Sequence, residues 1–168
     1  MRQKLLLAFI LANLFALSLR ALFPSLPLFP YSPLFALWIA SLSLPYALWS
    51  AFGMGLFMDL LSSSPMGIHA INFCLTTLVL YRERRHFVSD NPYNLSLFTL
   101  LFSFVSALFY ALLISLFDRR MAISGKWVLT DLLLLPIADG VYAFVWFTLP
   151  FMIGEKVQKR IKLYLKGN

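Results

Sequence analysis

Long apolar blocks alternate with short polar segments along this chain, and the pattern predicts helices that cross a membrane. The blocks cover 5–23, 33–61, 67–81, 93–117 and 127–153. A helix rises about 1.5 Å per residue and the hydrocarbon core of a bilayer is about 30 Å thick, so a span needs about 20 apolar residues. Most of these blocks approach or exceed that length.

Block 33–61 is too long for one span. As a straight helix it would run about 43 Å, and Pro45 lies near its middle. Proline removes a backbone donor and disfavours helix at the residue before it. The sequence therefore predicts two short helices, about 33–44 and 46–61, joined as a tight hairpin at Pro45. Helices this short need a locally thinner bilayer or cover from neighbouring helices.

The composition favours the same fold class. Only 12% of the 168 residues are charged and 61% are apolar, whereas about 25% charged residues is usual in a soluble domain. We expect an all-α, polytopic membrane helix bundle that forms a single integral domain over 1–168. Cys74 has no cysteine to pair with, and the two histidines have no second ligand at metal spacing, so no metal or cofactor is predicted.

The net charge of +7 comes from basic residues that flank the apolar blocks, which is typical of orientation signals rather than of a nucleic-acid surface. With six spans and a cytoplasmic N-terminus, ten basic residues lie inside and three outside; with five spans the split is five and eight. The positive-inside rule therefore favours six spans with both termini cytoplasmic. The inside set is Arg2, Lys4, Arg82, Arg84, Arg85, Lys156, Lys159, Arg160, Lys162 and Lys166, and the outside set is Arg119, Arg120 and Lys126.

Three acids fall within the apolar blocks, where an ionisable group costs at least about 2.5 kcal/mol. Asp59 and Arg20 come near the outer ends of their predicted spans, so an ion pair is expected, with an Arg20 that snorkels alone to the interface as the alternative. Asp139 is a mid-span acid that is either hydrogen-bonded inside the bundle or part of a proton or ligand site.

A third acid, Asp131, comes near the predicted outer interface. Basic residues lie close to it in the sequence, at Arg119, Arg120 and Lys126. We expect Asp131 to pair with one of them.

Small residues mark candidate close contacts between helices. Ala8, Ala12 and Ala16 recur every four residues, which indicates either a partner-docking face or ordinary packing within the bundle. Gly55 shares a helix face with Asp59. Structural roles are expected for Gly53, Gly55, Pro65 and Gly67, the last of these in a turn.

The tail 155–168 is basic and amphipathic. Its apolar residues Val157, Ile161 and Leu165 recur at i+4. This pattern suits the anionic lipid of a cytoplasmic leaflet, although a solvated helix end that only fixes topology would look the same.

The segment that begins at Gly53 is similar to the rod shape-determining protein MreD family of bacterial inner-membrane proteins. That family has a Gly-x-x-x-Asp-Leu-Leu/Ile-Ser-x-Ser-x-x-Gly pattern, followed by an apolar helix and a basic loop. The basic loop here is 81–87, and the block from Pro33 to Pro45, the chain length and the span count also fit. The matching positions are Gly55, Asp59, Leu60, Leu61, Ser62, Ser64 and Gly67.

The resemblance implies a non-enzymatic role in the cell-wall elongation machinery. Family members are membrane partners of MreC, and the machinery also contains the glycan polymerase RodA, a class B penicillin-binding protein and the cytoskeletal MreB. The sequence agrees with a non-enzymatic role, because it has no nucleophile–base pair and no phosphate-binding glycine loop.

A transport role is the alternative. Six-helix proteins with a small-xxx-small first helix also resemble the substrate-binding subunits of energy-coupling-factor vitamin transporters. In that case Asp59, Arg20, Ser62 to Ser64 and His69 would converge on an outer-side ligand pocket.

The charge split makes the topology testable. Reporter fusions at residues 88, 122 and 168 should read inside, outside and inside, because six spans give the ten-to-three distribution. An outside reading at residue 168 would favour five spans.

Overall fold

The structure, a computed structural model, describes residues 29, 31–62, 65–87, 93–117, 125–149 and 152. These residues form helices and connections only, which confirms the all-α prediction for this part of the chain. The helices are α1 (Ser32–Ser41), α2 (Leu44–Leu61), α3 (Ile68–Phe87), α4 (Tyr93–Phe117) and a helical run over 125–148, here called α5. Two of them, α2 and α4, are long and apolar enough to cross a membrane.

The predicted break in block 33–61 is present, but it lies at Leu42 and Ser43, just before Pro45. Both residues have extended backbone, with ψ of 158° at Leu42 and 155° at Ser43. Pro45 occupies the first turn of α2, where a missing N–H costs no helical hydrogen bond. The proline therefore starts α2 instead of forming the turn.

The helix predicted over 67–81 runs six residues further than expected. The prediction ended it at the basic residues after Tyr81, whereas α3 continues to Phe87. Arg84 is half-buried against α1, so this last part of α3 is fixed by tertiary contact. The helix predicted over 93–117 has the observed bounds of α4.

The last helix is irregular. Within α5, an α-helical segment Leu135–Ala143 lies between two π-helical segments, Val128–Leu134 and Phe144–Thr148. Pro136 cannot donate to the turn before it and its ring crowds the carbonyl four residues back, so a wider turn upstream relieves the clash. The prediction of a plain helix over 127–153 missed this feature.

The short helix α1 lies at the centre of the bundle. Its residues Leu34, Phe35, Ala36 and Ile39 are at most 1% exposed, and α1 contacts all four other helices. The Phe35 ring stacks on Phe102 of α4, with centroids 5.0 Å apart. At ten residues α1 is about 15 Å long, about half the thickness of the hydrocarbon core.

Gly55 allows α2 and α3 to touch backbone to backbone. A Cβ atom at Gly55 would lie 2.7 Å from the backbone nitrogen of Ala70 and 2.8 Å from the carbonyl oxygen of His69. By contrast, a Cβ at Gly53 would have no atom within 4 Å, because Gly53 is on the outward face of α2.

We expect Gly55→Ala to lower the free energy of unfolding by about 1–3 kcal/mol, because the methyl group would force two backbones apart. Gly53→Ala is the matched control: it removes a glycine from the same helix without a clash and should raise stability by about 0.5–1 kcal/mol. Denaturant titration of the purified protein in detergent micelles, followed by circular dichroism, measures both. Equal effects of the two substitutions would contradict the close approach.

Candidate functional site

Asp59 caps the start of α3, although it belongs to α2. The residue is 5% exposed, and its carboxylate accepts three backbone hydrogen bonds. Oδ2 accepts from the N–H of Gly67 at 2.9 Å and of Ala70 at 3.3 Å, and Oδ1 accepts from the N–H of His69 at 2.9 Å. The first N–H groups of a helix have no partner within the helix. Asp59 supplies those partners and places a negative charge at the positive end of the helix dipole.

The turn between α2 and α3 shapes this site. Gly67 has φ of +99°, a region that other residues rarely adopt, so the chain can reverse there and present its N–H to Asp59. The carbonyl of Pro65 accepts from the N–H of Ile68 at 3.4 Å. Ser62 donates to the backbone carbonyl of Asp59 at 3.4 Å. Ser64 lies outside the described residues.

The structure thus gives Asp59 partners that the sequence did not suggest. Arg20 lies outside the described residues, so its pairing with Asp59 stays a prediction. Three charge-assisted hydrogen bonds already offset the burial of the carboxylate, since each is worth about 1.5–3 kcal/mol. A cation is therefore not needed to account for a buried Asp59.

Asp139 binds the segment just before α1. It is fully buried, and its Oδ1 accepts from the backbone N–H of Phe29 at 2.8 Å, just before α1 begins. Ser103 of α4 donates to its Oδ2, and the Ser32 hydroxyl donates to the carbonyl of Phe29 at 2.8 Å. Asp139 is thus hydrogen-bonded inside the bundle, and it ties α5 and α4 to the start of α1.

Arg84 holds the opposite end of α1. One guanidinium nitrogen donates to the carbonyls of Leu42 at 2.7 Å and Ile39 at 3.3 Å. These carbonyls lie at the negative end of the α1 dipole, which favours a cation. The guanidinium carbon also lies 3.8 Å from the centroid of the Tyr81 ring. An arginine that the sequence marked only as an orientation signal is therefore a helix cap.

Asp131 forms no ion pair among the described residues. Its Oδ2 accepts from Thr130 Oγ1 at 2.6 Å, and the expected bond to Lys126 is absent from this part of the structure. Arg119 and Arg120 lie outside the described residues, as do Ala8, Ala12, Ala16 and the tail 155–168. His69, expected near Asp59, presents its backbone to that carboxylate and stacks its ring on Tyr110, with centroids 4.9 Å apart.

The contacts of Asp59, Asp139 and Arg84 join neighbouring helices. The described acids at the helix starts have their oxygens bound by backbone or serine donors, and no group of three metal-ligating side chains occurs among the described residues. Sequence reasoning missed Ser103 and Arg84; a serine inside an apolar helix was the available signal for the first. No protein-family model matches this sequence, and comparison with curated proteins and with solved structures also gives no match.

Asp59→Ala should lower the free energy of unfolding by at least about 2 kcal/mol, because it leaves three N–H groups at the start of α3 without an acceptor. Asp59→Asn keeps one acceptor oxygen and should lower the free energy of unfolding by less. Glu83→Ala removes an exposed acid from α3 and is the control. Thermal unfolding in micelles, followed by circular dichroism, ranks the three.

The double variant Arg20→Asp with Asp59→Arg tests whether Asp59 acts as a helix cap or as the partner of Arg20 in an ion pair. A guanidinium has no acceptor, so it cannot bind the α3 N–H groups and the double variant should remain destabilised. Recovery of stability in the double variant would instead show that the ion pair is the dominant interaction.

Proposed function

We propose that this chain is a non-enzymatic scaffold of the bacterial inner membrane. In this proposal it has six spans with both termini cytoplasmic and acts in the cell-wall elongation machinery, as its resemblance to the MreD family implies. Its partners would be MreC and, directly or through MreC, the RodA polymerase and its class B penicillin-binding protein.

The geometry of the Gly55–Asp59–Gly67 motif supports this role most strongly. Gly55 brings two helix backbones together, Gly67 turns the chain, and the Asp59 carboxylate is occupied by three backbone N–H groups. A motif that served catalysis would leave its ionisable group free to meet a substrate. This motif instead fixes two helices in one relative position, which is what a scaffold needs to present a constant surface.

The Arg84 contact agrees with the six-span map. That map puts residues 42 and 84 on the cytoplasmic side, and Arg84 bonds directly to the carbonyl of Leu42. The two ends of α3 then differ in charge, with Asp59 at the outer end and the basic residues at the inner end. This polarity follows the positive-inside rule.

The outward face of α2 is apolar and aromatic. Tyr46 is 70% exposed and Trp49 is 73% exposed, and Phe52 lies beside Trp49 on the same face. In water such a face would be unfavourable, whereas in a bilayer it contacts lipid or another membrane helix. The proposal assigns this face to the membrane environment.

Ala12→Phe should separate the protein from MreC without loss of insertion, because a bulky ring at a small-residue face prevents close helix approach. Leu14→Phe is the control, since it lies about 200° around an ideal helix from Ala12. Epitope-tagged wild type and variants are purified in mild detergent from native membranes, MreC is detected by antibody, and size-exclusion chromatography checks monodispersity.

Two results would contradict the scaffold proposal. One is recovery of a transporter ATPase module in place of MreC, and the other is nanomolar binding of a vitamin-like solute. An Ala12→Phe protein that aggregates would instead assign the alanine face to packing within the bundle, and the wild-type capture would then decide the partner.

A further inference from the structure

A cavity of 240 Å³ lies between α3, α4 and the first half of α5. Phe29, which comes just before α1, forms part of its wall. The short helix α1 fills only part of the space that α3, α4 and α5 enclose, and the cavity occupies space beyond its N-terminal end. In the six-span map this is the outer half of the membrane.

The wall of the cavity is mostly apolar and carries a few polar side chains. His69, Asn72, Ser106 and Asp131 lie on it, on three different helices. Asn72 donates to Ser106 at 2.9 Å, but the imidazole of His69 has no hydrogen-bond partner among the described residues. Polar groups in a protein interior are usually hydrogen-bonded, and a mostly apolar wall with a few polar groups is typical of a small-molecule site.

The acidic and aromatic residues on the wall indicate the sign of the charge that an occupant would carry. Asp131 is its acid, and none of the described wall residues is a lysine or arginine. Its carboxylate accepts one hydrogen bond, from Thr130, which leaves acceptor sites on both oxygens. Trp127 and Tyr110 present aromatic rings on the same cavity, and aromatic faces attract cations.

We infer that this cavity binds a small organic cation, an ammonium or amidinium group on a compact apolar body. Asp131 and the Trp127 ring hold the charge, and the rings of Tyr110 and Phe29 hold the apolar part. The ligand is small, because 240 Å³ is below the range of about 300–1,000 Å³ that drug-sized ligands occupy. The inference does not depend on the scaffold proposal, since binding is measured on the purified chain without a partner.

The test compares three compounds of nearly equal shape and different charge. Phenethylammonium is the cation, 2-phenylethanol the neutral analogue and phenylacetate the anion. Isothermal titration calorimetry with the full chain in nanodiscs, corrected with empty nanodiscs, should show saturable binding of phenethylammonium at least about tenfold tighter than of either analogue. Equal binding of all three, tighter binding of the anion or no saturable binding of the cation would overturn the inference.

Two pairs of variants locate the binding. Asp131→Asn should weaken phenethylammonium binding by about tenfold or more, and Trp127→Leu by about threefold or more. Glu83→Gln removes an exposed acid and Trp49→Leu an exposed tryptophan, both away from the cavity, and neither should change the affinity. Unchanged affinity in both cavity variants would place the binding elsewhere and overturn the inference. If the cavity variants do not fold, the charge selectivity of the wild type still decides whether the inference holds.

Discussion

A helix that starts inside a low-dielectric bundle must find acceptors for its first N–H groups, and this requirement organises the described part of the chain. Asp59 supplies these acceptors at the buried start of α3, and Asp139 accepts from the N–H of Phe29, in the segment just before α1. The end of α1 is bound by Arg84. Asp59 and Arg84 are therefore placed where a helix dipole and unpaired backbone groups stabilise their charges, so burial of the charge and termination of the helix offset each other.

These contacts also decide how the helices pack. Asp59 belongs to α2 but caps α3, and Asp139 belongs to α5 but bonds beside α1 and to Ser103 of α4. A cap that comes from a neighbouring helix fixes the distance and the register between the two. Gly55 complements this by allowing the backbones of α2 and α3 to touch near the Asp59 cap.

The sequence predicted features that depend on neighbouring residues and missed features that depend on contacts between residues far apart in the chain. Pro45 marked the break between α1 and α2, and hydropathy alone gave both ends of α4. The extension of α3 to Phe87 was missed because it depends on carbonyls that come 42 and 45 residues before Arg84. The sequence marked Asp59 as costly to bury. Its partners could not be predicted, because they are backbone N–H groups, which every residue except proline carries. The π-helical turns of α5 were also missed, because the apolar block 127–153 predicts only a plain helix.

The order of these contacts along the chain has a consequence for biosynthesis. The partners of Asp59 follow it by eight to eleven residues, so the carboxylate is satisfied as soon as α2 and the start of α3 form one hairpin. Asp139 has the reverse arrangement, since its partners Phe29 and Ser103 precede it by 110 and 36 residues. When Asp139 is synthesised, every group that will bind it already exists. Neither acid therefore has to wait long for its partners while the ribosome completes the chain.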